Sequence, residues 1–217
     1  RKDIDIHAVI NPWREVGGNL YDFGIVDNKL IFCIGDVSGK GILAAVFMSM
    51  TFKLVHTGRI SKASPAEVMS LTNKAMAQNN ESNMFVTLFY GILNLETGQL
   101  TYCNAGQDEP MVVSPNGQVQ PLEVAANMPM GLMEESEYEQ QTTTIAPGSM
   151  LVLYTDGVVE ATNRSGDLYG ADRLMRRLSQ HATDTCEQTV VAIREDVKEF
   201  THDESQDDCT ALALRWS

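Results

Sequence analysis

Residues 29–41 read KLIFCIGDVSGKG, and they contain the change from strand to helix on which the prediction of the fold depends. The run from Leu30 to Ile34 is wholly apolar, which is typical of a buried strand. Asp36 follows that run and precedes a glycine-rich turn. After Gly41 the apolar residues recur at helical spacing as far as Gly58, a residue type that often ends helices. The stretch therefore predicts a buried strand, a tight turn that carries an aspartate, and a long helix.

Short turns join this strand to its neighbours along the chain. Asp27-Asn28 is a two-residue turn of the hairpin type between the strand patterns at residues 21–26 and 29–35. A Leu-Glu-Thr-Gly turn at residues 95–98 connects two further strand patterns. Strands joined by turns this short pair in antiparallel fashion, because a parallel pair needs a longer crossover. These hairpins predict an α+β domain with largely antiparallel sheets, and they disfavour a parallel, doubly wound fold.

Three more helices are predicted besides the one that follows Gly41. Ser64-Pro65-Ala66-Glu67 has the pattern of a helix start, with Ser64 as the cap, proline in the first turn and Glu67 completing a capping box. Helical spacing also covers residues 171–181 and 186–200, and strand patterns cover residues 4–10, 150–154 and 209–215. The interval from residue 123 to residue 141 is expected to be irregular.

The bulk properties restrict the class of protein. A length of 217 residues suits one domain over residues 1–217, and the start at Arg1 rather than Met suggests that this domain is excised from a longer chain. The formal charge of −13, with no basic cluster to offset it, argues against contact with nucleic acid or with an anionic membrane. The acidity is explained either by a solvated acidic surface or by aspartates gathered to hold divalent cations.

The cysteines and the apolar runs indicate the compartment. Cys33, Cys103, Cys186 and Cys209 have no CxxC spacing, and we predict that they are reduced residues of a cytoplasmic protein. The longest apolar stretch, at residues 42–50, is too short to span a membrane.

Several catalytic motifs are absent. None of the four histidines has a motif around it, and neither a GxSxG nucleophile elbow nor an HExxH zinc motif occurs. Residues 35–41 are not a phosphate-binding P-loop, because three residues instead of four separate the first two glycines and Gly41 replaces the hydroxyl residue.

The prediction of a divalent-cation site depends on aspartates at the ends of strands. Asp36 and Asp156 each follow an apolar strand, and Asp207 and Asp208 directly precede the last one. A single Asp beside Gly is also explained by a plain turn. Three such sites can instead meet at one edge of a sheet, where carboxylates would bind Mg²⁺ or Mn²⁺. Two such ions can activate a shared water for attack on a phosphate.

Six motifs in order along the chain resemble the PPM/PP2C superfamily of metal-dependent phosphatases, in its bacterial SpoIIE/RsbU-type branch. They are Val16-Gly17-Gly18-Asn19-Leu20-Tyr21-Asp22, Gly35-Asp36-Val37-Ser38-Gly39-Lys40-Gly41, Met84-Phe85-Val86-Thr87-Leu88, Asn104-Ala105-Gly106, Tyr154-Thr155-Asp156-Gly157-Val158-Val159-Glu160-Ala161 and Asp207-Asp208-Cys209-Thr210. The resemblance implies a layered α-β-β-α sandwich, in which helix pairs flank two largely antiparallel sheets and two Mn²⁺ or Mg²⁺ ions bind at one end.

The same resemblance implies roles for particular residues. Asp36 would bridge both metal ions, the Val37 carbonyl would bind one of them, and Asp156 and Asp207 would complete the site. Asp208 is a weaker candidate for a role beside the ligands. The expected substrate is a phosphoserine or phosphothreonine of a STAS-type anti-anti-sigma factor in a partner-switching pathway, and a homodimer formed through adjoining regions is left open.

The chain departs from the family pattern at two places. Asn19 stands where the family usually has an aspartate that helps to hold a metal, and Asp22 is not expected to replace it. Three explanations compete for Asn19: an engineered inactivating change, a naturally weak or regulated enzyme, and a pseudophosphatase that only binds. The other departure is Gln107-Asp108-Glu109, where the family commonly has His after Asn-Ala-Gly.

The leading hypothesis is therefore a metal-dependent serine/threonine phosphoprotein phosphatase that forms no covalent phosphoenzyme. The alternative is a catalytically weakened or dead interaction module with the same fold. A nucleotide-binding switch is a third hypothesis, which the absence of an intact phosphate loop disfavours.

Overall fold

The computed structural model describes residues 3–11, 17–39, 41–78, 80, 82–202 and 208–217. Within these ranges the chain forms ten strands and five helices. In chain order they are β1 (Ile4–Asn11), β2 (Leu20–Val26), β3 (Lys29–Val37), α1 (Ile42–Ser61), α2 (Pro65–Ala77), β4 (Val86–Asn94), β5 (Gln99–Ala105), β6 (Met111–Val113), β7 (Val119–Pro121), β8 (Gln141–Thr144), β9 (Met150–Tyr154), α3 (Asp156–Val159), α4 (Ala171–Gln180), α5 (Cys186–Thr201) and β10 (Cys209–Trp216).

The elements divide between two compact units, each built on one five-stranded sheet. The first unit comprises Arg1–Glu15, Asp108–Glu123 and Ala146–Ser217, and its strand order is β1-β10-β9-β6-β7. The second unit comprises Val16–Gln107 and Val124–Ile145, and its strand order is β2-β3-β4-β5-β8. Every neighbouring pair of these strands is antiparallel. The predicted α+β class with antiparallel sheets is confirmed.

Hairpins organise the second unit as the sequence predicts. Asp27 and Asn28 both have positive φ, 46° and 59°, as a type I′ turn requires, and they place Val26 opposite Lys29. On one face of this sheet, Ile31, Cys33 and their neighbours form a buried core with α1 and α2. Because side chains alternate along a strand, Leu30, Phe32 and Ile34 lie on the opposite face, where they are also buried.

Helix α1 does not end at Gly58, so the prediction of a glycine cap there is wrong. The helix continues to Ser61, and the next residue, Lys62, adopts the left-handed conformation with φ 60°. Gly58 has a packing role instead, because a Cβ atom there would lie only 2.6 Å from Cγ2 of Val68 on α2. The start of α2 is as predicted: the Ser64 Oγ accepts a hydrogen bond from the Glu67 amide, and the Ser64 amide donates to Glu67 Oε2.

The first unit places α4 and α5 over one face of its sheet. Leu174, Val190 and Ile193 join Val152 and Ala211 in one buried core. Helix α5 begins with a capping box between Thr185 and Gln188. Both helices match the predicted ranges of residues 171–181 and 186–200 closely.

The structure also bears on the predictions about the cysteines and about membrane-spanning segments. All four cysteines are buried and free, as predicted for reduced core residues. None of the described helices combines the length and apolar content that a membrane span needs.

Candidate metal centre

Gly18 leaves an oxygen-lined space at the end of β3 in the second unit. The Val37 amide donates a hydrogen bond to the Gly18 carbonyl at 3.2 Å, which holds the two segments together. A Cβ atom at position 18 would lie 2.9 Å from the Val37 carbonyl oxygen and 3.4 Å from Oδ1 of Asp36. The missing side chain therefore keeps open a space beside a carboxylate oxygen and a main-chain carbonyl. Both are hard oxygen donors of the kind that Mg²⁺ and Mn²⁺ prefer.

Asn19 lies next to this space along the chain. It immediately precedes β2, whose first residue, Leu20, pairs with Gly35 directly before Asp36. Only 7% of the Asn19 surface is exposed. Asn19 is therefore at the same end of the β2–β3 hairpin as the two oxygen donors. Its side-chain carboxamide has an oxygen atom but carries no negative charge.

The Asp22 carboxylate makes its contacts with helix α1, away from this end of the hairpin. Its carboxylate accepts hydrogen bonds from Nη1 of Arg59 at 3.1 Å and contacts Nδ1 of His56 at 3.2 Å. Both partners belong to α1, so Asp22 joins that helix to β2. These contacts agree with the expectation that Asp22 does not replace the missing aspartate at position 19.

In the first unit, Asp156 lies beside the start of β10. The Thr155 amide donates to the Thr210 carbonyl at 3.0 Å, and the Thr210 amide donates to Oγ1 of Thr155 at 3.2 Å. A Cβ atom at Gly157 would come within 2.0 Å of the Asp208 carbonyl oxygen, so only glycine permits this close approach of the two backbones. The structure therefore brings Asp156 next to the segment that carries Asp208. Asp207, the other predicted ligand of this segment, lies outside the described residues.

Asp108 is an acidic neighbour of Asp156 that sequence reasoning did not assign to the site. Burial raises the pKa of Asp108 to about 6, and repulsion from Asp156, Glu160 and Glu109 contributes in the same direction. The only signal in the sequence was the acidic pair Asp108-Glu109 directly after Asn-Ala-Gly-Gln. The carboxylates of this region repel one another, which is the electrostatic condition that a bound cation relieves.

The oxygen donors at the ends of these strands are of the kind that divalent cations prefer. The second unit offers the Asp36 carboxylate, the Val37 carbonyl and the Asn19 amide, and the first unit offers Asp156. Within the described part of the chain, no three His, Cys, Asp or Glu side chains are grouped closely enough to hold a metal ion by themselves. The joint site of Asp36, Val37, Asp156 and Asp207 stays a prediction.

The fold belongs to a known class. The chain superposes on the SiaA-PP2C domain of Pseudomonas aeruginosa with a TM-score of 0.87 at 20% identity, covering 98% of this chain and 86% of that one. It superposes on RsbX in complex with magnesium with a TM-score of 0.75 at 20% identity, covering 100% and 97% of the two chains. The fold is thus that of the PP2C-type phosphatase domain.

The sequence identifies the family within this class. The family model described as Stage II sporulation protein E (SpoIIE) matches residues 26–217, and the chain belongs to that family. It is 28% identical over 212 residues to the phosphoserine phosphatase RsbU of Bacillus subtilis, covering 98% of this chain and 63% of RsbU. The chain therefore spans less than two thirds of the length of this relative.

Proposed function

We propose that this domain is a metal-dependent serine/threonine phosphoprotein phosphatase. The observation that carries the proposal is the space beside Gly18, where the Asp36 carboxylate and the Val37 carbonyl present oxygen atoms at the end of β3. Membership of the SpoIIE family and the similarity to the phosphoserine phosphatase RsbU support the same reaction class. The reaction is hydrolysis of a phosphate ester, in which water replaces the serine or threonine oxygen on phosphorus and the side-chain hydroxyl is released.

The proposed roles follow the chemistry of the donors. Asp36, Val37, Asp156 and Asp207 would hold two Mn²⁺ or Mg²⁺ ions, and Asn19 would be a weakened ligand. When bound, such ions activate water and stabilise the charge that develops on the phosphate oxygens. Gly18 keeps the space beside Asp36 and Val37 free of any side chain. The magnesium complex of RsbX, which shares the fold, is consistent with a divalent cation in this class of domain.

The proposed substrate is a phosphorylated STAS-type anti-anti-sigma factor. The family membership and the similarity to the phosphoserine phosphatase RsbU support phosphoserine as the group that is hydrolysed, while the STAS-type carrier is what the resemblance of the six motifs implies. A partner protein is also in keeping with the charge of −13, which disfavours a polyanionic partner such as nucleic acid.

The test is hydrolysis of a phosphoserine STAS protein and of p-nitrophenyl phosphate with Mn²⁺ present. The chain and its Asn19→Asp variant are assayed side by side, with Asp36→Asn as the inactive control. We expect phosphate release that requires Mn²⁺ and is faster in Asn19→Asp. Release from neither substrate by Asn19→Asp would refute the proposed activity, while release from the aryl phosphate alone would refute only the STAS substrate.

Asn19 favours a second candidate, an interaction module that has lost catalysis. Replacing a carboxylate ligand by a neutral amide removes one negative charge from the site and lowers its attraction for a cation. Calorimetry with Mn²⁺ separates the two candidates. Binding by the chain or by Asn19→Asp supports the phosphatase, whereas no binding by either variant supports the module.

A further inference from the structure

The apolar face of the second unit's sheet ends in a row of polar side chains. On the face away from α1 and α2, Phe32 stacks on Phe89 with ring centroids 6.2 Å apart, and Phe89 stacks on Tyr102 at 5.5 Å. Towards the end of β3 the same face changes to Asp36, whose partner across the strand pair is Thr87. A polar row at the end of an apolar face requires partners for its hydrogen-bonding groups.

Thr87 contacts both the main chain of Asp36 and the side chain of Gln107. Its Oγ1 lies 2.9 Å from Oε1 of Gln107 and 3.4 Å from the carbonyl oxygen of Asp36. Gln107 is only 7% exposed. The threonine hydroxyl therefore stands between a buried carboxamide and the peptide group that leads from Asp36 into Val37.

The main chain of Gln107 is held in a turn by the side chain of Asn104. Nδ2 of Asn104 donates to the Gln107 carbonyl at 2.7 Å, and the Gln107 amide donates back to Oδ1 of Asn104 at 3.1 Å. Between them, Gly106 has a φ of 73°, in the left-handed region that glycine adopts readily. A Cβ atom at Gly106 would also lie 2.9 Å from Pro129. The turn therefore fixes the main chain of Gln107, from which its side chain contacts Thr87.

The hydrogen-bonding chemistry suits a positioning role. A threonine hydroxyl has one proton and two acceptor sites, whereas a carboxamide offers both a donor and an acceptor end. The Gln107 carboxamide can therefore accept the Thr87 proton, or donate to Thr87 so that this proton goes to the Asp36 carbonyl. Leucine at position 107 could do neither, while an imidazole could do both.

We infer that Gln107 is a positioning residue that acts through Thr87 on the main chain of Asp36. It thereby orients the Asp36 carboxylate and the Val37 carbonyl towards the space beside Gly18. Other contacts also support this segment: the Val37 amide donates to the Gly18 carbonyl, and the Ser38 amide donates to the Phe85 carbonyl at 2.8 Å. The inference rests on the proposed function, since the oriented atoms are the proposed metal ligands.

The test compares Mn²⁺ affinity, measured by calorimetry, between the chain and its Gln107→Leu, Gln107→His and Thr87→Val variants. Residues that orient metal ligands commonly change metal affinity by about 10–100-fold when they are replaced. We expect Gln107→Leu and Thr87→Val each to weaken Mn²⁺ binding about tenfold. Gln107→His, which keeps a donor and an acceptor, should restore binding to within about threefold of the original chain, because it can still engage the Thr87 hydroxyl.

The matched control is Thr101→Val on the neighbouring strand β5. Thr101 makes an exposed contact with Thr142, so the same loss of a hydroxyl should leave Mn²⁺ affinity unchanged. In a double-mutant cycle, Gln107→Leu combined with Thr87→Val should weaken binding no more than either change alone, because both interrupt one contact. Additive losses would overturn the proposed route through Thr87.

A second readout does not depend on the metal. In metal-free protein, Gln107→Leu should increase the hydrogen-exchange rates of the Val37 and Ser38 amides, while the amides of α2 exchange as before. If Gln107→Leu does not fold, the comparison is made with Thr87→Val, which keeps the shape of the side chain. Unchanged Mn²⁺ affinity and unchanged exchange in a folded variant would overturn the inference, as would equal losses in Gln107→Leu and Gln107→His.

Failure of the inference can be told apart from failure of the proposed function. If the original chain or Asn19→Asp binds Mn²⁺ and the position 107 variants bind it equally well, only the positioning role is wrong. If neither of the first two binds Mn²⁺, the proposed function fails and the positioning role fails with it.

Discussion

Asn19 shows how a single atom type can change a site without changing the fold. The residue is almost fully buried at the end of the β2–β3 hairpin, beside the segment that carries Asp36 and Val37. Asn and Asp have nearly the same shape, so the surrounding packing can stay as it is. The difference lies in charge, because an amide oxygen coordinates a cation without neutralising it.

Asn19→Asp should raise Mn²⁺ affinity by at least about tenfold, since a carboxylate adds one negative charge at the proposed site. Calorimetric titration measures the change. Asn116→Asp is the matched control, because it adds the same charge at an exposed turn of the first unit. An equal gain in both variants would show that the effect comes from overall charge and would contradict a ligand role for position 19.

Asp108 should make the stability of the protein depend on pH. In the unfolded chain its carboxyl group titrates at about pH 4, whereas burial and neighbouring carboxylates raise its pKa in the folded state to about 6. Between these values the folded state holds more protons than the unfolded state. The free energy of unfolding therefore falls as pH rises through this window, and the loss is complete above it.

Asp108→Asn should remove this pH-dependent loss in the free energy of unfolding. In the presence of EDTA, the variant should melt a few degrees higher than the original chain at pH 7.5 and within about two degrees of it at pH 4, where the aspartate is protonated in the folded state and about half protonated in the unfolded chain. Thermal unfolding followed by circular dichroism gives the comparison. The same difference in Tm at both pH values would contradict a titrating origin.

At the scale of elements, the helix pair of the second unit includes one especially close contact at a glycine. Glycine lowers helix stability by about 1 kcal/mol relative to alanine, so Gly58 within α1 is unfavourable for the helix alone. The contact with Val68 explains its presence, because a Cβ atom would lie 2.6 Å from that side chain. Tertiary packing therefore outweighs the helix propensity of the residue at this position.

Gly58→Ala should destabilise the protein by about 1–3 kcal/mol despite its better helix propensity, because the added methyl group overpacks the α1–α2 contact. Urea unfolding measures the change. Adding Val68→Ala to Gly58→Ala should recover part of the lost stability, since it removes the two methyl groups that the new Cβ meets. A stabilised Gly58→Ala variant would show that the contact relaxes freely.

At the scale of the whole molecule, the dominant property is the net charge of −13. Part of this charge lies on carboxylates close to one another, because repulsion from Asp156, Glu160 and Glu109 adds to the burial that raises the pKa of Asp108. Binding of cations to the folded state should therefore stabilise it, both by coordination and by relief of repulsion. The two effects differ in whether they depend on one particular carboxylate.

Mn²⁺ should raise the Tm of Asn19→Asp by about 5–10 °C when the free ion is present at about 100 times its Kd, which corresponds to about 2.7 kcal/mol. EDTA should reverse the gain. Asp36→Asn in the same background should abolish most of it, whereas Asp172→Asn, an equal change in charge at an exposed site on α4, should not. A gain that survives Asp36→Asn would indicate general screening instead of a site.

The sequence by itself determined the local elements of this protein. The Asp27-Asn28 turn, the capping box at Ser64 and the apolar run before Asp36 each act within a few residues, so their patterns predicted hairpins, helix starts and buried strands correctly. Six motifs in order also led to the family. These features could be predicted because the interactions that produce them are short in sequence.

Only the tertiary structure decided which distant residues meet. Gly58 against Val68, Gly157 against Asp208, and Gln107 against Thr87 are contacts between segments that no local pattern connects. Each depends on strand register and on the packing of helices over sheets, which are set by the burial of many side chains together. For the same reason the role of Gly58 was predicted wrongly and Asp108 was not assigned to the site, since both depend on neighbours that folding alone brings close.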